Sequence, residues 1–192
     1  MENEPETSSL EARMLRAAKL ETSLYDEVKA DTTANRQAFL VVVISGVAES
    51  LALALGIRLG TISGIVDTDV DRLQLAILLL VPLVGGIVGW LIWSLLAYWL
   101  GSTIFKQGET SASYGGVLRA IGFTNSPMVL GFFVFVPYVG AVIALAVSIW
   151  VFIATIVALK QALSLSAGRA VGLWAAIAIP AVLIYLFTYV LY

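Results

Sequence analysis

Few residues in this chain could carry chemistry, and the most conspicuous is Glu49, an acid inside the otherwise apolar run Ala38–Ile57. A carboxyl group within an apolar segment of that length is costly. Such groups face a bundle interior or a water path, where they handle protons or cations or form structural hydrogen bonds. Further along, Thr124-Asn125-Ser126-Pro127 sets three polar side chains beside a helix breaker. Asn125 and Ser126 could line a polar pocket, or could satisfy the backbone groups that Pro127 disturbs. Ser148 lies in a later apolar run at a depth that matches Glu49. Glu49, Asn125, Ser126 and Ser148 therefore form the candidate intramembrane polar site.

Other chemistry is excluded by what the chain lacks. With no cysteine and no histidine, it offers no disulfide, thiolate metal site, iron–sulfur cluster, histidine-ligated haem, cysteine nucleophile or serine–histidine triad. No paired acids or nucleophile–base set stands out, so neither an enzyme nor a bound cofactor is expected. Asp67-Thr68-Asp69-Val70-Asp71 is similar to the opening of a calcium loop. Arg72 stands where that loop requires glycine and Leu78 where it requires glutamate, so an ordinary solvated acidic loop is expected. The loop from Lys106 to Gly116 has no phosphate-binding spacing of glycine, lysine and serine.

Composition identifies the medium. Sixty per cent of residues are hydrophobic and only 12% are charged, against about 25% charged in soluble domains. Eight of the thirteen acids precede Ala34. The net charge of −2 and the absence of a basic patch exclude a nucleic-acid partner.

The acidic start, Met1 to Glu6, has no apolar core and is not a secretory signal; residues 1–8 read as a disordered tail. Ser8 and Glu11 give a capping box, and an amphipathic helix is predicted over about 9–29. Leu10, Met14, Ala17, Leu20, Leu24 and Val28 form its apolar stripe, and Arg13 and Glu21 intrude on it. Such a helix can lie on the membrane surface or pack on the inside ends of the bundle. Residues 1–36 thus form an N-terminal segment, and 37–192 a membrane domain.

A helix needs roughly 20 apolar residues to cross the bilayer core. Spans are predicted at about 38–57, 75–100, 119–136, 140–159 and 171–191. The first holds Glu49. In the second, Pro82 should bend the early part, and Gly85, Gly86 and Gly89 leave a flat face for a neighbour. Ala120–Leu159 carries no charge and would measure roughly 60 Å as one helix, so the chain must turn at Val136-Pro137-Tyr138-Val139-Gly140. The third span should be a helix kinked at Pro127, with a re-entrant stretch as the alternative. The tryptophans and tyrosines read as interfacial belt and packing. The fold class is an all-α polytopic bundle of about five transmembrane helices with an N-terminal amphipathic helix.

Orientation follows from the basic residues. With the N-terminus inside, Arg13, Arg16, Lys19, Lys29, Arg36, Lys106, Arg119, Lys160 and Arg169 fall on the inner side, and only Arg58 and Arg72 fall outside. Five spans then leave the C-terminus outside. Glu49 lies roughly 16 Å along its helix from Ala38, near mid-bilayer. It is expected to face the second or fourth span, with Gly85 and Gly86 making room and Ser148 or a free carbonyl as its hydrogen-bond partner.

Several stretches are familiar together. Leu24-Tyr25-Asp26-Glu27-Val28-Lys29-Ala30-Asp31 precedes a span opening Gln37-Ala38-Phe39-Leu40. Later come Tyr114-Gly115-Gly116-Val117-Leu118-Arg119-Ala120-Ile121-Gly122-Phe123-Thr124-Asn125-Ser126-Pro127, the Val136–Gly140 turn, and Ala158-Leu159-Lys160-Gln161-Ala162-Leu163-Ser164. In this order they resemble the Yip family of Rab/Ypt-interacting membrane proteins, above all its bacterial and archaeal branch, over about residues 24–190. The resemblance implies five spans, a cytoplasmic N-terminus and a role in membrane traffic or partner recruitment. Eukaryotic members recruit small GTPases; the long N-terminal region with an Asp-Leu-Tyr-Gly-Pro-like motif is missing here, so GTPase binding is not expected to carry over. The expected role is non-enzymatic scaffolding in a prokaryotic inner membrane. The partners would be the lipid bilayer and other membrane proteins, or further copies of the chain. The alternatives are a small transporter or channel using Glu49 and the Asn125 region, and an accessory subunit of a larger membrane complex.

Overall fold

The computed structural model describes residues 9–61, 72–107 and 112–191. The acidic tail 1–8 and the acidic stretch Asp67–Asp71 lie outside the described residues, as does part of the Lys106–Gly116 loop. The order is α1 (Leu10–Ala18), α2 (Thr22–Ala30), α3 (Ala34–Arg58), α4 (Arg72–Thr103), α5 (Tyr114–Phe123), a 3-10 helix (Ser126–Phe135), α6 (Gly140–Leu163) and α7 (Ala167–Leu191). No strand occurs among the described residues.

The amphipathic segment is two helices, not the one predicted over 9–29. Leu20 takes a left-handed φ of 61°, and the Leu20 and Glu21 amides fold back to Ala17 and Arg16 carbonyls. A left-handed leucine costs roughly 1–2 kcal/mol through its Cβ, which the packing of α1 and α2 as a hairpin offsets. The N-cap is Ser9, whose hydroxyl accepts from Ala12 N at 3.2 Å, rather than Ser8. On the hairpin, Ala17, Leu24, Tyr25 and Val28 are buried.

Five helical stretches, Ala34–Arg58, Arg72–Thr103, Tyr114–Phe135, Gly140–Leu163 and Ala167–Thr188, are long and apolar enough to cross a membrane. At about 1.5 Å per residue, the shorter regular ones exceed the roughly 30 Å hydrocarbon layer. Their outward faces confirm the medium. Along α4, Leu73, Ile77, Leu80, Val84, Val88, Leu91 and Leu95 are exposed, as is the continuous run Val182–Phe187 on α7. An apolar surface of this extent is stable only against lipid. α3 and the third span are the most enclosed, and α4 is the least.

The third span is irregular, but not through a simple kink. α5 ends at Phe123, and Ser126–Phe135 continues as ten residues of 3-10 helix, unusually long for that form. Pro127 stands in its first turn. Just before it, Thr124 Oγ1 donates to Ile121 O, Asn125 Nδ2 to Ile121 O and Gly122 O, and Ser126 Oγ to Phe123 O. The polar cluster therefore closes the carbonyl end of α5 and lets the narrower helix follow.

Close approaches fix the register of the spans. A Cβ on Gly122 would lie 2.8 Å from Ala38 Cβ, and one on Gly46 would lie 3.2 Å from Leu83 Cα. The expected flat face at Gly85 and Gly86 is not used in this way, because a Cβ added to either would meet no neighbouring helix within 4 Å. The turn falls where expected: Tyr138 has φ 65°, and any Cβ on Gly140 would run into the Val134 carbonyl.

Candidate functional site

Two polar regions organise the molecule. The first joins the α1–α2 hairpin to the bundle. Arg13, which breaks the apolar stripe in sequence, is only 4% exposed. It sits at the hub of a network: Nε donates to Glu27 Oε1 at 2.9 Å, Nη2 to Asp31 Oδ2 at 2.7 Å and Nη1 to Gln37 Oε1 at 2.8 Å. Arg16 adds bonds to Glu27 at 2.6 Å and Glu21 at 3.1 Å. Burial pushes the Glu27 carboxyl up, but the hydrogen bonds from Arg16 and Arg13 outweigh it and leave the group below its ordinary value. The Thr33 hydroxyl bond, reinforced by Arg13, holds Asp31 down as well.

Three side chains then fasten the hairpin over a longer range. Arg119 on α5, also 4% exposed, donates from Nε to Val28 O at 2.6 Å, from Nη2 to Lys29 O at 2.5 Å and from Nη1 to Asn35 Oδ1 at 3.1 Å. Its planar fork thus caps the carbonyl end of α2, a place that favours a cation. Lys29 Nζ reaches Gln161 O at 2.8 Å on α6, and Trp150 Nε1 donates to Ala18 O at 2.8 Å at the end of α1. Gly116 leaves the space in which the Lys29 carbonyl approaches, since a Cβ there would lie 3.1 Å from that oxygen. Sequence reading placed Arg119 among the basic residues of the inner side and missed its role; its signal is a lone arginine between Leu118 and Ala120 at the head of an apolar span.

The second region holds the predicted intramembrane site. Glu49 and Ser148 do line one cavity of about 400 Å³, between α3, the 3-10 helix and α6. No hydrogen bond joins them. Ser148 Oγ donates to Ala144 O at 2.8 Å within its own helix, and among the described residues Glu49 has no hydrogen-bond or ionic partner. The glycine that faces the carboxyl is Gly131, where an added Cβ would stand 3.9 Å from Glu49 Cγ, an ordinary contact distance, and not Gly85 or Gly86.

Asn125 and Ser126 do not join this cavity. Asn125 lines a second one of about 320 Å³ with Gly86, Gly89, Trp90, Trp93 and Trp174, while Ser126 is buried with its hydroxyl on Phe123 O. Trp90 is buried there and donates to Leu118 O at 2.9 Å, so these tryptophans serve packing. Trp99, 57% exposed, is the outward-facing one.

No curated protein and no solved structure matches the chain. The family model described as Yip1 domain matches residues 22–190. That range begins at α2 and runs through all five spans, so it takes in the Arg119 clasp, the Glu49 cavity and the Pro137–Gly140 turn, and leaves out α1. By this match and its five apolar spans, the chain belongs to the Yip family of multi-pass membrane proteins.

Proposed function

We propose that this chain is a non-enzymatic membrane scaffold that recruits other membrane proteins, or further copies of itself, through the α1–α2 hairpin. The observation that carries this reading is the fastening of the hairpin: Arg119, Lys29 and Trp150 bond it to two spans. A free tail samples many conformations, whereas a fastened hairpin holds its outer face in one shape and binds without an ordering cost. That face carries Glu11, Leu15, Lys19, Thr22, Ser23 and Asp26, all exposed. The nine-to-two division of basic residues supports a cytoplasmic hairpin and an outer C-terminus.

The test is photo-crosslinking in native membranes from Leu15 and Asp26, with Thr61 as the control position. Discrete protein adducts are expected at the first two sites, and their loss in Arg119→Ala. Adducts of lipid alone, or adducts indifferent to Arg119→Ala, would overturn the reading. Reporter fusions at Glu6, Asp69, Ser111, Ser166 and Tyr192 should read in, out, in, in, out. A cytoplasmic signal at Tyr192 would mean that a span has been miscounted.

The second reading, a small transporter, is favoured by the Glu49 cavity. It predicts that Glu49→Gln preserves folding and abolishes cation-dependent flux in liposomes, whereas the scaffold reading predicts no flux in either protein.

A further inference from the structure

The Glu49 cavity has a carboxyl group on its wall and an apolar lining otherwise, with Leu53, Met128, Val134 and Val147 among its residues. Its volume of about 400 Å³ falls within the roughly 300–1,000 Å³ of small-molecule sites. A carboxylate in such surroundings stays charged only with a counter-cation or a donor beside it, and otherwise takes up a proton. The described residues supply neither, since the one hydroxyl on the wall, Ser148, donates to Ala144 O.

The rest of the chain cannot supply a cation either. Within the five spans the basic residues are Arg36, Arg58, Arg72, Arg119, Lys160 and Arg169. Five of them stand near span ends, and Arg119 is engaged with Val28, Lys29 and Asn35. A second copy has only the same set and would bring no cation to this depth. A ligand apolar enough to enter from the membrane can bring the partner that the chain itself does not supply.

We propose that this cavity binds a lipophilic amine, its ammonium paired with the Glu49 carboxylate and its hydrocarbon body lying against Leu53, Met128, Val134 and Val147. An amine supplies donor and countercharge from one atom, whereas an alcohol supplies a donor alone and a fatty acid repels. The site is independent of the hairpin and of the partners proposed for it.

Octylamine, octanol and octanoate serve as probes of equal chain length. Each is titrated calorimetrically into the full chain in nanodiscs, with empty nanodiscs subtracted. Octylamine should bind saturably, and Glu49→Gln should weaken it by about 30-fold or more, the loss typical of truncating one partner of a buried charge pair. Octanol should bind weakly and be indifferent to Glu49→Gln. Gly131→Leu, which fills the cavity and leaves the carboxyl in place, should weaken octylamine as well. No saturable octylamine binding, octanol equal to octylamine, or octylamine unaffected by Glu49→Gln would each overturn the proposal. Where Glu49→Gln fails to fold, the octylamine–octanol comparison on the native chain and the Gly131→Leu variant decide it.

Discussion

Arg119→Ala is the perturbation that most directly probes how the hairpin is held. The native guanidinium makes three bonds, at 2.6 Å to Val28 O, 2.5 Å to Lys29 O and 3.1 Å to Asn35 Oδ1. Hydrogen bonds to a charged group contribute roughly 1.5–3 kcal/mol each. The Asn35 bond is long and reaches an exposed residue, and the freed α2 carbonyls regain water once the hairpin lifts. The two short bonds alone then set a docking loss of about 3 kcal/mol, equivalent to about a 150-fold rise in the lifted population. Hydrogen exchange in nanodiscs reads this directly. Amides of Leu24 and Val28 should exchange about 150-fold faster than in the native chain, while those of α3 near Val41 stay unchanged. Arg119→Lys should recover part of the loss, because an ammonium lacks the fork that reaches adjacent carbonyls. Unchanged exchange in α2 would refute the clasp. Acceleration of α2 and α3 in step would refute its locality, since the arginine would then hold the whole bundle.

Acid should loosen the same hairpin. Glu27 and Asp31 have lowered folded values, so their contribution is complete above the ordinary carboxylate value of 4.5 for glutamate and is lost as pH falls through the lowered folded values. Exchange of α1 should rise below that pH, and Glu27→Gln should flatten the dependence. Gly140→Ala should be far more damaging than Gly101→Ala. The former drives Cβ into the Val134 backbone, whereas the latter meets first the flexible tip of Leu163; thermal melts should show only the former losing the fold. Tyr25→Phe should be neutral or stabilising by about 1 kcal/mol, because the buried Tyr25 hydroxyl has no partner among the described residues. A clear loss of stability would show that the hydroxyl has a partner in the membrane.

Much of the architecture was legible because membrane helices must satisfy their own backbone, which makes length and hydropathy decisive. The five spans follow from that constraint, and Pro137 and Gly140 mark where the uncharged run must turn. The break at Leu20 did not show, since it needs no glycine or proline and arises from packing of the hairpin on α5 and α6. Nor did the 3-10 run after Pro127, because the same residues could equally have resumed an α-helix. Arg13 was visible as an exception to the apolar stripe, yet periodicity could not say that its acids lay 14 and 18 residues away. Glu49 and Ser148 were matched in depth by counting residues from the two ends of the bilayer, and the structure puts them on one cavity wall. Counting along separate helices cannot give the rotation of each, which is why Asn125 faces a different cavity.

The polar groups of this chain therefore divide by what surrounds them. Arg13, Arg16, Glu21, Glu27 and Asp31 share partners within the hairpin, and Arg119 fastens the same hairpin to the bundle, so the losses on substituting them should be non-additive. Glu49 shares none of those partners and lies elsewhere in the bundle, so its substitutions should add to theirs with little coupling. A double mutant of Arg119→Ala with Glu49→Gln tests that division. If the hairpin and the cavity are separate devices, exchange in α2 will match Arg119→Ala alone, and octylamine affinity will match Glu49→Gln alone. A coupling above about 0.5 kcal/mol, the usual limit of additivity for distant sites, would instead show that a ligand in the bilayer and a partner at the hairpin sense one another through α3 and the third span.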